Sequence, residues 1–113
     1  MTNHIETAKR YAEALQEKFN ADRNDHMKLT VTVDKPGRKF VRIVQKYTSD
    51  HGSGRSVHAF VELATGKLIK AAGWTAPQKD KSGLAYRADL STPVGFADAV
   101  SRADFAGSYL YAR

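Results

Sequence analysis

The sequence contains no cysteine in its 113 residues. Disulfides and thiolate metal sites are therefore excluded, and nothing indicates an oxidising compartment. No apolar run approaches the roughly 20 residues that span a bilayer, and the N-terminal stretch mixes polar and apolar residues too evenly for a secretory signal. We predict a cytoplasmic protein that has no membrane partner.

The chain is also too short for two hydrophobic cores. Hydrophobic residues make up 42% of it, which is typical of a globular protein and too many for a disordered one. A chain of this length buries one modest core. We therefore predict a single domain that spans residues 1–113.

Acidic residues are scarce in the middle of the chain. The formal net charge is +6 in total, but the span from Lys35 to Arg87 contains eleven basic and three acidic residues, a net charge of +8. Such an excess favours a polyanionic partner, through counterion release and electrostatic steering. It is equally typical of a solvated surface that keeps a small protein soluble. Charge alone leaves both interpretations open.

The spacing of apolar residues predicts one helix followed by a sheet. An apolar stripe at helical period runs through residues 3–20. Alternating polar and apolar residues then predict four strands, at residues 29–33, 39–47, 56–63 and 67–74. Short connections, including a Pro36-Gly37 turn, favour an antiparallel meander.

The last third of the chain predicts a further strand and a further helix. LAYRADL has the composition of a short fifth strand. In STPVGFADAVSRADF, Thr92 is suited to cap a helix and Pro93 to occupy its first position, although Gly95 weakens the pattern. The predicted fold is α+β: an N-terminal helix, a four- to five-stranded antiparallel meander sheet and a C-terminal helix.

Alternation also assigns residues to the two faces of the predicted sheet. An aliphatic face, suited to pack against the helices, takes Leu29, Val31, Val33, Val41, Ile43, Val57, Ala59, Val61 and Leu63. The opposite face takes Thr30, Thr32, Phe40, Arg42, Val44, Lys46, His58, Phe60 and Glu62. On the fourth strand, Leu68, Lys70, Ala72 and Trp74 share one side, and the pattern does not show which side faces the helices.

Aromatic and basic residues come together if the Lys70 side of the fourth strand is open. Phe40, Phe60 and Trp74 would then lie among Arg42, Lys46 and Lys70, an arrangement that binds single-stranded nucleic acid by base stacking and phosphate contact. Alternatively, the two phenylalanines form a cross-strand pair that is covered by the second helix, by the tail or by a second copy in a homodimer.

Patterns that would indicate catalysis or a metal site are weak. The four histidines, His4, His26, His51 and His58, show no metal-ligand spacing. Asp50 and His51 have no accompanying nucleophile. HGSGRS (51–56) lacks the spacing of a phosphate-binding loop and leads into a strand. We expect no enzyme activity, no catalytic residue, no metal and no cofactor.

One stretch resembles a known group of proteins. KAAGWTAPQK (70–79), followed by LAYRADL, resembles a segment of small uncharacterised proteins of tailed bacteriophages, in which a strand ends in a Trp-x-x-Pro-x-Lys loop. The resemblance covers about residues 57–90. It implies a viral protein acting in the cytoplasm of a bacterial host, and it carries no activity with it.

These patterns lead to a functional hypothesis: a small, basic, non-enzymatic protein that binds nucleic acid, DNA or RNA. The alternatives are a protein-interaction module, such as a phage inhibitor with an acidic host or defence protein as its partner, and a virion or assembly protein. The candidate nucleic-acid-binding residues are Arg38, Lys39, Arg42, Lys46, Arg55, Phe60, Lys67, Lys70, Trp74, Lys79, Lys81 and Arg87.

Overall fold

The fold is given by a computed structural model, which describes residues 4–21, 23–24, 28–34, 38–47, 56–73, 76–80, 83–103 and 110. Two helices and seven strands lie in these residues. In chain order they are α1 (Ile5–Asn20), β1 (Leu29–Asp34), β2 (Phe40–Tyr47), β3 (Ser56–Glu62), β4 (Lys67–Ile69), β5 (Lys79–Asp80), β6 (Gly83–Leu84), β7 (Tyr86–Asp89) and α2 (Pro93–Arg102).

Five strands form one antiparallel sheet in the order β1-β2-β3-β4-β7. The predicted meander is therefore confirmed, and the predicted fifth strand is confirmed as β7, which pairs with β4. The short β5–β6 hairpin, which forms a separate two-stranded sheet, was not predicted. Its two-residue strands are too short to show any alternation.

Both helices pack on the same face of the sheet. The stripe of α1 buries Ala8, Ala12, Leu15 and Phe19 against β1 and β2, while α2 packs against β7 and α1. The rings of Tyr11 and Phe96 join the helices edge to face at 5.8 Å. The main core lies between this helical layer and the sheet, as the amphipathic patterns predict.

The predicted start of α2 is confirmed in detail. Thr92 has extended backbone angles, its side-chain oxygen accepts a hydrogen bond from the Gly95 N–H at 3.0 Å, and Pro93 opens the helix. At the C-terminal end of α2, the carbonyls of Val100 and Ser101 accept hydrogen bonds from Lys18 Nζ of α1, at 2.7 and 2.8 Å. Both ends of the helix therefore have partners for backbone groups that a helix leaves unpaired.

A register shift between β2 and β3 corrects two predicted face assignments. Ile43 pairs with Ala59 but Val44 pairs with Val57, so His58 is an extra residue on β3. Because a bulge of this kind offsets the alternation, His58 lies on the helical face, with its ring 5.9 Å from that of Phe19. Val57 lies on the opposite face. The predicted faces of both residues were wrong.

The fourth strand is shorter than predicted, and its faces are now fixed. β4 ends at Ile69; Leu68 lies in the main core and Ile69 lies on the opposite face. The side of β4 that carries Leu68 therefore faces the helices, which decides between the two alternatives that the sequence left open. Trp74, expected at the end of this strand, lies outside the described residues.

Candidate functional site

The sheet face opposite the helices is called the open face here. Its side chains are identified by strand register and by their exclusion from the main core. Each of β2, β3, β4 and β7 contributes to it. Its residues include Phe40, Arg42, Val44, Lys46, Val57, Phe60, Glu62, Lys67, Ile69 and Tyr86.

A second, smaller hydrophobic cluster occupies the middle of the open face. Phe60 and Ile69 are fully buried in it together with Ala85, and the Phe40 ring packs edge-on against Phe60 at 6.5 Å between centroids. A fully buried ring presents no surface on which a base could stack. The assignment of Phe60 as a stacking residue was therefore wrong, because the chain after β4 returns over this ring through Ala85.

The chain that follows β4 also forms one wall of a cleft. Gln78 donates its backbone N–H to the Lys70 carbonyl at 2.8 Å, and Ala85 donates to the Gln78 carbonyl at 2.9 Å. These bonds hold the β5–β6 hairpin beside the open face. The cleft between them has a volume of about 590 Å³ and is lined by Lys39, Phe40, Glu62, Ala76, Pro77, Lys79 and Gly83.

Two exposed lysines give this cleft its charge. Lys39 precedes β2 on the sheet wall, and Lys79 belongs to β5 on the hairpin wall. Phe40 and Pro77 supply apolar surface between them, and both are half-buried. Glu62 is the acidic residue among the lining side chains. The cleft therefore combines two cations from distant parts of the chain with an apolar floor.

Glu62 is held by two hydroxyl groups. Tyr86 Oη donates to both carboxylate oxygens, at 3.0 and 3.1 Å, and Thr65 Oγ1 donates to one of them at 2.7 Å. Lys67 Nζ lies 5.0 Å from the centroid of the Tyr86 ring, within the range of a cation–π contact. Partial desolvation raises the pKa of the Tyr86 hydroxyl, and the hydrogen bond and negative charge of Glu62 raise it further.

Replacing the Glu62 carboxylate should change the titration of Tyr86. We expect Glu62→Gln to lower the pKa of Tyr86 toward its ordinary value, because a charge that opposes ionisation of the phenol is removed. An alkaline NMR titration that follows the Tyr86 ring measures this. Thr65→Val is the matched control, since it removes the other hydroxyl donor but keeps the charge. An unchanged Tyr86 pKa in Glu62→Gln would contradict the contact.

The other predicted cations lie in different environments. Arg38 is exposed next to Lys39, while Lys46 and Lys67 are half-buried on the open face. Lys46 lines a shallow groove beside β1. Arg42 Nη2 pairs with Asp34 Oδ2 at 2.6 Å, and its side chain is only 12% exposed. Arg42 is therefore positioned for a structural ion pair rather than for a phosphate.

Two further basic residues contact the protein itself, and three predicted residues are not described. Lys70 Nζ donates to Gln78 Oε1 at 2.7 Å, and Arg87 donates to the Leu110 and Tyr86 carbonyls. The structure thus brings Lys39 and Lys79 together and leaves Arg87 with the C-terminal segment. Arg55, Trp74 and Lys81 lie outside the described residues, as does the glycine loop with Asp50 and His51.

Tyr86 is the open-face residue that the sequence patterns missed. Its side chain is 41% exposed, a high value for a large apolar ring. The only signal for it was its position in a short segment, LAYRADL, in which the alternation covers too few residues to assign a face. It supplies an exposed aromatic ring on the same face of the sheet as the cleft, two strands away from Phe60.

The described part of the chain contains no group of side chains that could hold a metal ion. None of the helices in the described ranges has the length and hydropathy of a membrane span.

The fold and the site define an α+β domain whose five-stranded antiparallel sheet carries two helices on one face and a basic cleft on the other. The chain belongs to a family of unknown function, DUF7717, which it matches over residues 2–112. No curated protein and no solved structure matches the chain significantly. Family membership assigns no activity to the chain.

Proposed function

We propose that this protein is a non-enzymatic nucleic-acid-binding protein whose cleft and adjoining open face contact the phosphate backbone. The observation that supports the proposal most strongly is the convergence of Lys39 and Lys79, which are forty positions apart in the sequence, on one cleft. Arg38 adjoins this pair, and Lys67 lies beside the exposed ring of Tyr86. Phosphates pair with such cations regardless of sequence, and a base can stack on an exposed ring.

The distribution of charge also supports this proposal. The chain has its excess positive charge between Lys35 and Arg87, and this span includes the sheet wall and the hairpin wall of the cleft. Electrostatic attraction over such a surface steers a polyanion towards it and is screened by salt. The local resemblance to tailed-phage proteins would place this binding in the cytoplasm of a bacterial host.

The salt dependence of oligonucleotide binding tests the proposal. Labelled single-stranded and duplex oligonucleotides are titrated with the protein at several salt concentrations, and the anisotropy of the label and the fluorescence of Trp74, the only tryptophan, are followed. We expect Lys39→Ala/Lys79→Ala to weaken binding and to reduce the slope of log K against log salt by up to about 1.8, because each lost phosphate contact removes about 0.7–0.9.

A matched variant separates the cleft from the overall charge. Arg10→Ala/Arg102→Ala removes two exposed cations from the helices, on the other face of the sheet, and should leave the slope nearly unchanged. An equal loss in both double variants would show that the binding is not located in the cleft. A wild-type protein that binds no oligonucleotide at about 50 mM salt would contradict the proposal, since nonspecific phosphate binding is strong under that condition.

A second candidate is a protein-interaction module with an acidic partner. The mixed lining of the cleft favours it, because Phe40, Pro77 and Ala76 lie between the lysines and Glu62. Protein interfaces combine apolar floors with charged rims in this way. Binding to such a partner that is lost in Lys39→Ala/Lys79→Ala, together with no oligonucleotide binding by the wild-type chain, would favour this candidate.

A further inference from the structure

β1 is an edge strand, and α1 covers only the first half of its free edge. Asn20 binds both backbone groups of Leu29: its Oδ1 accepts from the Leu29 N–H at 2.8 Å and its Nδ2 donates to the Leu29 carbonyl at 2.9 Å. Gln16 Oε1 accepts from the Val31 N–H at 2.9 Å. These amides substitute for a neighbouring strand at the start of β1.

No side chain in the described ranges covers the second half of the edge in this way. In an antiparallel ladder, backbone groups of alternate residues point to the same side, so the bonds of Leu29 and Val31 to α1 show that Val33 also points outward. Within the described ranges, the Val31 carbonyl and the Val33 N–H and carbonyl have no protein partner. The edge therefore presents a carbonyl and an N–H two residues apart.

The path of α1 explains why the edge opens here. The N–H of His4, immediately before the helix, donates to the carbonyl of Leu63 beyond β3, while Asn20 at the helix end reaches Leu29 on β1. The helix thus crosses the sheet and reaches its edge only at its C-terminal end. The widening gap is a groove of about 250 Å³, lined by Lys9, Ala12, Glu13, Val31, Thr32 and Val33.

We propose that a second copy of this chain pairs with the free edge of β1 in antiparallel orientation, so that two sheets join into one across a two-fold axis at Thr32. In this register the Val33 N–H of each copy donates to the Val31 carbonyl of the other. The two open groups are therefore self-complementary, as an isologous interface requires. Thr32 faces its own counterpart, a favourable cross-strand pair.

Charge and composition favour a second copy over another partner. The groove lining has one cation, Lys9, and one anion, Glu13, so it has no net charge that would favour an acidic or a basic partner over a second copy. The strand itself, LTVTVD, contains no lysine and no proline, the residues with which natural edge strands prevent pairing. Its alternating valines and threonines have high strand propensity.

Gln16 has a particular role in this arrangement. In the single chain its side-chain oxygen accepts the hydrogen bond from the Val31 N–H. In the dimer the Val33 carbonyl of the second copy would accept from this same N–H. Pairing therefore exchanges the amide of Gln16 for a backbone carbonyl. An interface of five residues per strand is small, and we expect a weak dimer with a Kd between roughly 10 µM and 1 mM.

Sedimentation analysis of the wild-type chain and three variants tests the proposal. Val33→Pro removes the outward N–H without removing a donor from the β1–β2 ladder, and should raise the dimer Kd at least about tenfold, because two symmetric hydrogen bonds are lost. Val33→Ala, which keeps the N–H, should retain the dimer. Gln16→Ala removes the internal competitor and should lower the Kd severalfold.

Circular dichroism checks whether Val33→Pro folds. If it does not fold, the Gln16→Ala variant still tests the proposal. A wild-type chain that stays monomeric at about 1 mM overturns the proposal, since a dimer with a Kd in the expected range would be substantially populated at that concentration. A dimer whose Kd is the same in Val33→Pro and in Gln16→Ala as in the wild type overturns it as well, because the copies would then meet elsewhere. Tighter dimerisation by Gln16→Ala supports it.

Discussion

We expect Phe60→Ala to lower the free energy of unfolding by about 3–5 kcal/mol, the usual cost of deleting a buried phenylalanine ring. Phe60 is fully buried between Ile69, Ala85 and the edge of Phe40. These neighbours belong to β4, to β2 and to the segment before β7, so they cannot all move inward to fill the space. Since a domain of this size has a total stability of about 5–15 kcal/mol, the loss should be obvious in a urea or thermal unfolding curve.

Two variants make this result specific. Phe60→Leu keeps most of the buried volume and should cost less than about 1.5 kcal/mol. Phe40→Ala, at a half-buried ring on the same face, should cost about 1–2 kcal/mol because less apolar surface leaves water on folding. If Phe60 were a stacking residue, Phe60→Ala would leave the unfolding curve unchanged and reduce only oligonucleotide binding. That result would contradict the buried cluster.

The parts of the fold that could be predicted are those that local periodicity determines. The stripe of α1 and the alternation of LTVTV assign Leu15, Phe19, Leu29 and Val31 to the core, where the structure places them. The cap of α2 was also predictable, because Thr92 and Pro93 act within one helical turn. In each case the physical cause involves residues close in sequence.

The errors in the predicted faces and burial occur where contacts between residues distant in sequence determine the structure. The alternation of SVHAFVEL continues through His58 and gives no sign of the bulge that turns Val57 to the other face. Alternation correctly placed Phe60 opposite the helices, but it could not show that Ala85 would cover the ring. The side of β4 that faces the helices could not be predicted either, because both faces of the strand contain aliphatic residues and both are buried.

The sequence predicted which residues carry the positive charge of the candidate site, but it did not predict where the cleft lies or which of these cations line it. Lys39 and Lys79 both belong to the central basic span, but nothing in the sequence distinguishes them from Arg42 or Arg87. Arg42 and Arg87 differ from the two lysines because of long-range contacts. Arg42 pairs with Asp34, and Arg87 donates to the Leu110 carbonyl. The cleft itself depends on a return of the chain after β4, which local composition did not indicate.

The second large effect is expected at Gly95, the residue that weakens the helical pattern of α2 in the sequence. A β-carbon added there would lie 2.0 Å from the carbonyl oxygen of Asp89 and 2.8 Å from Thr92 Oγ1. The first contact is far inside van der Waals distance, and its oxygen belongs to the backbone of β7, where Asp89 pairs with Lys67. The capped first turn of α2 is therefore packed directly on the end of the sheet.

Two opposing effects decide the outcome of Gly95→Ala. Alanine favours the helical state over glycine by about 1 kcal/mol, but relief of the clash requires α2 or β7 to shift and to disturb the Gly95–Thr92 cap. Overpacking of this kind costs about 1–3 kcal/mol, and more where the neighbour is backbone. We expect a net destabilisation of about 2 kcal/mol, measured as a lower midpoint of thermal unfolding.

Gly73→Ala is the matched control, because a β-carbon at Gly73 meets no atom within 4 Å, and its unfolding midpoint should stay close to that of the wild-type chain. Since α2 lies on the other face of the sheet from the cleft, folded Gly95→Ala protein should bind oligonucleotides as the wild type does. A stabilised Gly95→Ala variant would mean that helix propensity outweighs the contact, and the first turn of α2 would then not rest on the Asp89 carbonyl. The glycine is thus expected to be needed for the close approach of helix and sheet, and not for flexibility.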